Sequence, residues 1–142
     1  MNSNVKEPVF DSNRQLLLDE RYFLNVTNPD GSVRKETWSE LCLRVATAIA
    51  KASVPYNDRD LETEIREYFN AIFNFEMVPA TPILMNAGTP KQQLFSCFVS
   101  QIQDNLRAIY AELGLSAEIF AGAGGVGYDF GEVRPEGSKV DG

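Results

Sequence analysis

Residues 78–99, VPATPILMNAGTPKQQLFSCFV, separate a part of the chain with helical periodicity from a part with strand-like segments. The first part of this stretch carries proline, asparagine and glycine at short intervals, which predicts an irregular, hydrogen-bond-rich segment. Apolar residues then cluster over Gln93–Val99 in the manner of a buried strand, and Cys97 lies within that strand. We therefore expect two regions, residues 1–77 and residues 78–142.

Upstream of this stretch the sequence predicts helices. Thr37 and Glu40 have the spacing of a capping box, and apolar residues recur on one face from Trp38 to Ala52, which predicts a helix there. A second helix is expected to begin after Asp58 or Asp60, with a buried apolar stripe along one face. The first ten residues show no periodicity and are expected to form a loose arm.

Downstream of Cys97 the pattern predicts a helix and then a strand. Asp104 or Asn105 can cap a helix whose apolar positions keep helical spacing. The glycine cluster GAGGVG, residues 122–127, follows this helix, and residues 126–133 resume as a strand.

The glycine cluster satisfies the dinucleotide-binding pattern GxGxxG, which needs a strand before it and a helix after it. Here the predicted order is reversed, so a self-contained dinucleotide-binding domain is disfavoured. A helix C-cap with a tight turn explains the glycines better. A third interpretation is that bare backbone approaches a ligand there.

Composition limits the classes of function. The chain has 13 basic and 20 acidic residues, and its net charge of -7 opposes binding to a nucleic-acid backbone. The sequence has no histidine, so Ser/His, Cys/His and zinc-type chemistry cannot be complete within it. No apolar run is long enough to span a bilayer, and the N-terminus lacks the apolar core of a signal peptide. We expect a cytoplasmic protein with neither nucleic acid nor membrane as a direct partner.

Cys97 is the candidate reactive residue. Free cysteine is often a small buried hydrophobe, which is the competing interpretation. Ser96 and the upstream Thr81 offer hydroxyls near this thiol, and a polar pair beside a thiol indicates a site. Cys42 lies among apolar helix residues and is interpreted as core or inert surface. The two cysteines form no CxxC pair, so a structural disulfide is not expected.

The order of loop, cysteine strand, helix and glycine turn resembles the ribonucleotide reductase catalytic chain. The likeness is sharpest in VPATPILMNAGTPKQQLFSCFV and GGVGYDFGEVRPEGS. The sequences of the N-terminal helices and of PATPILMNAGT are most similar to the adenosylcobalamin-dependent class (class II). The oxygen-dependent diiron class shares the same barrel. The resemblance implies an α/β fold, in which a helical N-terminal region is followed by the first strands and helix of a ten-stranded α/β barrel. That barrel would be incomplete here.

The resemblance also implies roles for individual residues. Cys97 would be catalytic, as the first of two redox-active cysteines whose thiols deliver two electrons and end as a disulfide. Asp104 and Arg134 match positions around a deoxynucleoside triphosphate effector, and the helix after Asp104 would help to form a dimer interface. No metal ligand is implied. The positions that match those lining the ribonucleoside diphosphate or triphosphate site are Thr81, Pro82, Ser96, Cys97, Gly124 and Gly125.

The chain departs from the family pattern in two ways. Ala123 stands where the family commonly begins an unbroken glycine triplet, which puts the close approach of backbone at that position in doubt. In the family the radical-forming cysteine, its partner Asn and Glu, the second redox cysteine and the C-terminal reducing cysteines all lie beyond the position of Gly142.

We therefore expect an N-terminal fragment of a reductase that is inactive alone and is completed by the remaining barrel in trans or in cis. The resemblance implies a ribonucleotide substrate, a homodimer of the assembled enzyme and a thioredoxin-type reductant. Adenosylcobalamin would be bound mainly by residues outside this chain. The alternative is a non-catalytic nucleotide-binding or regulatory module derived from a reductase, which should tolerate Cys97→Ser.

Overall fold

The chain divides after Leu94 into two compact units. The computed structural model describes residues 6–139. The loose arm predicted for the first ten residues lies partly outside that range, and residues 6–10 form neither helix nor strand. No helix among residues 6–139 is long and apolar enough to cross a membrane.

The first unit is mainly helical, as the sequence predicts. Its helices and strands are α1 (Ser12–Leu17), β1 (Asn25–Thr27), β2 (Val33–Lys35), α2 (Trp38–Ser53), α3 (Leu61–Phe73) and α4 (Thr81–Asn86). Helix α1 runs into a π-helical turn, Leu18–Tyr22, and a short 3-10 turn, Val54–Tyr56, follows α2. Strands β1 and β2 pair antiparallel around a turn at Asn28–Gly31.

Helices α2 and α3 pack against each other and supply most of the core of the first unit. The capping box that begins α2 is confirmed, since the Glu40 N–H donates to Thr37 Oγ1 and the Thr37 N–H donates to Glu40 Oε2 over 2.8 Å. Asp60 caps α3 by accepting from the Thr63 N–H over 2.9 Å. The buried core consists of Phe23, Trp38, Leu41, Cys42, Val45, Ala46, Phe69, Ile72, Leu84 and Ala87.

Helix α4 lies where the sequence predicts an irregular segment. Pro82 is compatible with its first turn, because the first N–H groups of a helix have no partner within that helix. Leu84 and Ala87 are 7% and 1% exposed and belong to the core of the first unit. Burial of these side chains keeps α4 with the helices before it, so the contacts divide after Leu94, whereas the sequence places the change near Met77.

The second unit is a strand, a helix and a strand. Strand β3 (Cys97–Gln101) leads to α5 (Leu106–Ala121), which leads to β4 (Gly125–Asp129), and the two strands pair in parallel. Asn105 begins α5, its side chain accepting from the Ala108 N–H over 2.8 Å. The predicted fold class is confirmed, and among the described residues the strands do not close into a barrel.

The predicted buried strand over Gln93–Val99 is wrong in its position and its burial. The strand begins at Cys97, and Cys97 and Val99 are exposed while Phe98 is half-buried. Successive side chains of a strand point to opposite faces, and among the described residues of this unit, 95–139, α5 is the only helix that could cover a face. Strand β4 ends earlier than predicted, where the Gly131 N–H donates to Asp129 Oδ1 over 2.8 Å in a turn.

Candidate functional site

Parallel pairing of β3 and β4 brings the predicted cysteine to the predicted glycine turn. Cys97 is the register partner of Gly125, and the Gly125 N–H donates to the carbonyl of Ser96 over 2.8 Å. The Ser96 hydroxyl lies 3.6 Å from the Cys97 sulfur. Both side chains are exposed. Three of the predicted site residues are therefore neighbours in one exposed place, although they come from two strands separated by a helix.

The glycine turn that leads into β4 is also the end of α5. Gly122 is the C-cap, the Ala123 N–H donates to the Phe120 carbonyl over 2.9 Å, and the Gly124 N–H donates to the Ile119 carbonyl over 3.0 Å. Ala123 adopts a left-handed conformation, with φ of 66°. The helix C-cap interpretation is confirmed, and the glycine cluster follows a helix and precedes a strand, which is the reverse of the order in a dinucleotide-binding fingerprint.

The residues around position 125 do not require a glycine there. A Cβ atom built at this position would lie 3.8 Å from the Ser96 carbonyl oxygen, which is ordinary van der Waals contact. Its backbone φ is not in the left-handed region. Neither sterics nor conformation within the described residues therefore explains a glycine beside Cys97.

The two cysteines differ in environment. Cys42 on α2 is fully buried, and burial raises the pKa of its thiol to about 12. A thiol so strongly held in its protonated form is a poor nucleophile, because the thiolate is the reactive species. Of the two predicted places for Cys42, core or inert surface, the structure shows the core, and Cys97 is the exposed thiol.

Asp104 and Arg134 form an ion pair in the second unit. Arg134 Nε lies 2.5 Å from Asp104 Oδ2, and the same guanidinium donates to the Asp104 carbonyl over 3.4 Å and to the Lys139 carbonyl over 3.0 Å. The two side chains are about one-third exposed. The residues that resemblance assigns to one effector site are thus in direct contact, at the head of α5.

Thr81 and Pro82 belong to the first unit, as the first two residues of α4. Pro82 is fully buried, whereas Thr81 is half-buried. The Thr81 hydroxyl lies 3.1 Å from the hydroxyl of Tyr22, at the end of the π-helical turn. Sequence reasoning missed Tyr22, because the pair is separated by 59 positions and no local pattern links them.

A buried ion pair holds the other end of α4. Arg44 makes two hydrogen bonds with the Glu36 carboxylate, of 2.8 and 2.9 Å, and donates to the carbonyls of Ala87 over 2.6 Å and Leu84 over 3.2 Å. The side chains of Arg44 and Glu36 are 12% and 6% exposed. This network joins α2, the residue after β2 and the last turn of α4. No local pattern in the sequence predicts these contacts.

Comparison with known proteins matches the chain to two domain families in order. The model of the ribonucleotide reductase all-alpha domain matches residues 9–92, and the model of the ribonucleotide reductase barrel domain matches residues 95–142. The division of the structure after Leu94 falls between the two matched ranges.

Curated relatives agree with these matches. A vitamin B12-dependent ribonucleoside-diphosphate reductase of Mycobacterium tuberculosis is 36% identical over 87% of this chain and 18% of its own length. The ribonucleoside-diphosphate reductase subunit alpha of Chlamydia trachomatis is 34% identical over 88% of this chain and 11% of its own length. The ribonucleoside-diphosphate reductase subunit alpha of Synechocystis is 32% identical over 94% of this chain and 16% of its own length. The chain spans less than a fifth of the length of each of these relatives. From these matches, the chain belongs to the ribonucleotide reductase family.

Proposed function

We propose that this chain supplies Cys97 and parts of the substrate and effector sites to a reductase that converts ribonucleoside diphosphates or triphosphates into deoxyribonucleotides. The observation that carries the proposal is the pairing of Cys97 with Gly125, which presents an exposed thiol beside the Ser96 hydroxyl at a glycine turn. The radical-forming cysteine and the remaining strands come from the rest of the barrel, in trans or in cis.

The chemistry assigned to Cys97 balances as a two-electron reduction. The bond between C2′ of the ribose and its hydroxyl oxygen breaks, the oxygen leaves as water, and a C2′–H bond forms. The electrons and protons come from two thiols, that of Cys97 and that of a second cysteine in the rest of the barrel, which join as a disulfide. A thioredoxin-type dithiol then reduces that disulfide by thiol–disulfide exchange. A thiol at the start of a hydrogen-bonded strand is well held for such a step.

Residues of the second unit and residues of the first unit are each proposed to contribute to ribonucleotide binding. In the second unit, Ser96 precedes Cys97, Gly125 is its register partner and Gly124 precedes Gly125, and bare backbone at the glycines lets a ribonucleotide come close. In the first unit, Thr81 and Pro82 lie at the start of α4, where the Thr81 hydroxyl can donate to an oxygen of the nucleotide.

We propose that Asp104 and Arg134 contribute to the site of a deoxynucleoside triphosphate effector. Arg134 carries the positive charge that a triphosphate requires, and the Asp104 carboxylate fixes the direction of its guanidinium. A carboxylate can also accept hydrogen bonds from hydroxyl groups of a sugar. Helix α5, which begins beside this pair, would help to form the dimer interface.

Adenosylcobalamin is the proposed radical source, by analogy with the vitamin B12-dependent relative. The resemblance implies that residues outside this chain hold most of the cofactor. Among residues 6–139 no group of histidine, cysteine, aspartate or glutamate side chains could hold a metal ion.

Complementation tests the proposal. The chain is combined with the rest of the reductase barrel and a reductant, and formation of deoxyribonucleotide is measured for the unchanged chain, Cys97→Ser and Cys42→Ala. We expect Cys97→Ser to abolish turnover, because serine cannot form the disulfide, and Cys42→Ala to retain it. Full turnover with Cys97→Ser would overturn the proposal in favour of a non-catalytic or regulatory module.

A further inference from the structure

The hydroxyl groups of Tyr22 and Thr81 form a contact that joins the start of the chain to the start of α4. Their oxygen atoms lie 3.1 Å apart, and both side chains are half-buried. Tyr22 is the last residue of the π-helical turn, which is closed by a hydrogen bond of 2.8 Å from the Phe23 N–H to the Leu18 carbonyl. Such turns are rare and are frequent at functional sites.

Both partners in this contact are held in place by other interactions. The ring of Tyr22 packs against the hydrophobic core of the first unit, so only its hydroxyl needs a polar partner. Thr81 is followed by the buried Pro82, and the far end of α4 is fixed by the hydrogen bonds of Arg44 to the carbonyls of Leu84 and Ala87. The contact is therefore made between two rigid elements.

A threonine hydroxyl has one proton to donate and can accept two hydrogen bonds. If Thr81 donated that proton to Tyr22, it would have none for an acceptor oxygen of a nucleotide. If Tyr22 donates instead, its bond fixes the Thr81 rotamer and leaves the Thr81 proton directed elsewhere. A ribonucleotide offers mainly acceptor oxygens, on its phosphates, so the second arrangement is the one that serves binding.

We propose that Tyr22 is a positioning residue for the substrate site: its phenol donates to Thr81 Oγ1 and orients the Thr81 hydroxyl toward an acceptor oxygen of the bound ribonucleotide. This inference rests on the proposed function, because it takes Thr81 as a substrate-binding residue. Tyr22 acts through Thr81 and does not touch the reacting atoms.

The test uses the assembled reductase with Tyr22→Phe, Thr81→Ala, Thr81→Ser and the combinations of Tyr22→Phe with each Thr81 variant. Tyr68→Phe is the matched control, since Tyr68 also packs partly against the core of the first unit. KM for the ribonucleotide and kcat are measured separately, and melting temperatures show whether each variant is folded.

We expect Tyr22→Phe to raise KM roughly three- to tenfold, the range that loss of one neutral hydrogen bond gives, with little change in kcat. Thr81→Ala should raise KM at least as much, and adding Tyr22→Phe to it should change nothing further. Thr81→Ser keeps the hydroxyl and should stay near the original KM and remain sensitive to Tyr22→Phe. Tyr68→Phe should leave KM unchanged.

Three results would overturn the inference. Two of them leave the proposed function standing, and the third also removes part of the proposed function. If Thr81→Ala raises KM but Tyr22→Phe does not, or if Tyr22→Phe raises KM equally in the presence of Thr81→Ala, Tyr22 does not act through Thr81 and the proposed function stands. If Thr81→Ala leaves KM unchanged, Thr81 is not a substrate residue, and that part of the proposed function fails together with the inference.

Discussion

Cys42 and Cys97 differ in burial, and we expect them to differ in reactivity. Burial raises the pKa of the Cys42 thiol to about 12, so at neutral pH almost none of it is the reactive thiolate, while Cys97 is exposed on a strand. We predict that iodoacetamide alkylates Cys97 of the folded chain and leaves Cys42 unmodified. Peptide mass spectrometry after a timed reaction measures this, and unfolding in urea should make both cysteines reactive. Alkylation of Cys42 at a rate similar to that of Cys97 in the folded chain would contradict the assignment.

Ala123 carries the cost of a left-handed conformation that glycine adopts freely. Its φ of 66° lies at the turn from α5 into β4. We predict that Ala123→Gly raises the free energy of unfolding by about 0.5–1 kcal/mol, as the strain relieved exceeds the entropy that glycine adds to the unfolded chain. Urea denaturation of the chain combined with the rest of the barrel, followed by circular dichroism, measures the change.

Ala117→Gly is the control for that substitution, since Ala117 is exposed in the interior of the same helix. There glycine should lower the free energy of unfolding by about 1 kcal/mol. Equal destabilisation by the two substitutions would show that position 123 is not strained.

The sequence singles out candidate site residues by their type and order, but it does not show which residues they contact. Cys97, Ser96 and the glycine turn stand out by type and order along the chain, and strand pairing brings Cys97, Ser96 and Gly125 together. The Tyr22–Thr81 contact could not be predicted in this way, because neither residue has a local signal for a partner so distant in sequence.

At the scale of elements, the start of α2 combines a capping box with an ion pair. The Arg34 guanidinium donates to both carboxylate oxygens of Glu40, each over 2.6 Å, and together with the Thr37 N–H it lowers the pKa of Glu40 from 4.5 to about 2. The charged form of Glu40 is therefore favoured in the folded chain. Its contribution to the free energy of unfolding is complete above about pH 4.5 and is lost as the pH falls toward about 2.

We predict that Glu40→Gln lowers the free energy of unfolding at neutral pH by up to about 1 kcal/mol, because glutamine keeps an oxygen that accepts from the Thr37 N–H but loses the charge paired with Arg34. Water screens the exposed pair with Arg34, so the effect should not reach the full size of the pKa shift. The difference between Glu40→Gln and the unchanged chain should shrink as the pH falls from about 4.5 to about 2. Urea titrations across this range measure it.

Glu62→Gln is the control for this prediction, because Glu62 occupies the first turn of α3 without an ion pair among the described contacts. Its effect should be smaller at neutral pH. A Glu40→Gln effect that is constant with pH would contradict the role given to the Glu40 charge.

Elements with strong local signals could be predicted from the sequence, and elements fixed by packing could not. Helix α2 was predictable to within one residue at its end, since a capping box and a regular apolar face mark it. Helix α4 was not, because its Pro82 and the nearby glycine suggest a loop, while the burial of Leu84 and the bonds of Arg44 stabilise a helix. The strand at Cys97 was predicted too early, since apolar residues before it suggested pairing that does not form.

At the scale of the whole molecule, the second unit exposes apolar surface that an isolated domain would bury. Val99 is 87% exposed, Leu106 71% and Tyr110 65%. A sheet of two strands is also too small to be stable on its own without further strands or packed helices. We expect further strands of the barrel to pair beside β3 and β4, which agrees with the short span of this chain relative to its relatives.

The central claim is that Cys97 is one of the two thiols oxidised during reduction of the ribonucleotide. The most direct measurement is a single turnover of the assembled, pre-reduced reductase without external reductant, followed by trapping of free thiols and mapping of disulfides by mass spectrometry. We expect deoxyribonucleotide to form together with a disulfide between Cys97 and a cysteine in the rest of the barrel, while Cys42 remains a free thiol. Formation of deoxyribonucleotide with Cys97 still a free thiol would contradict it.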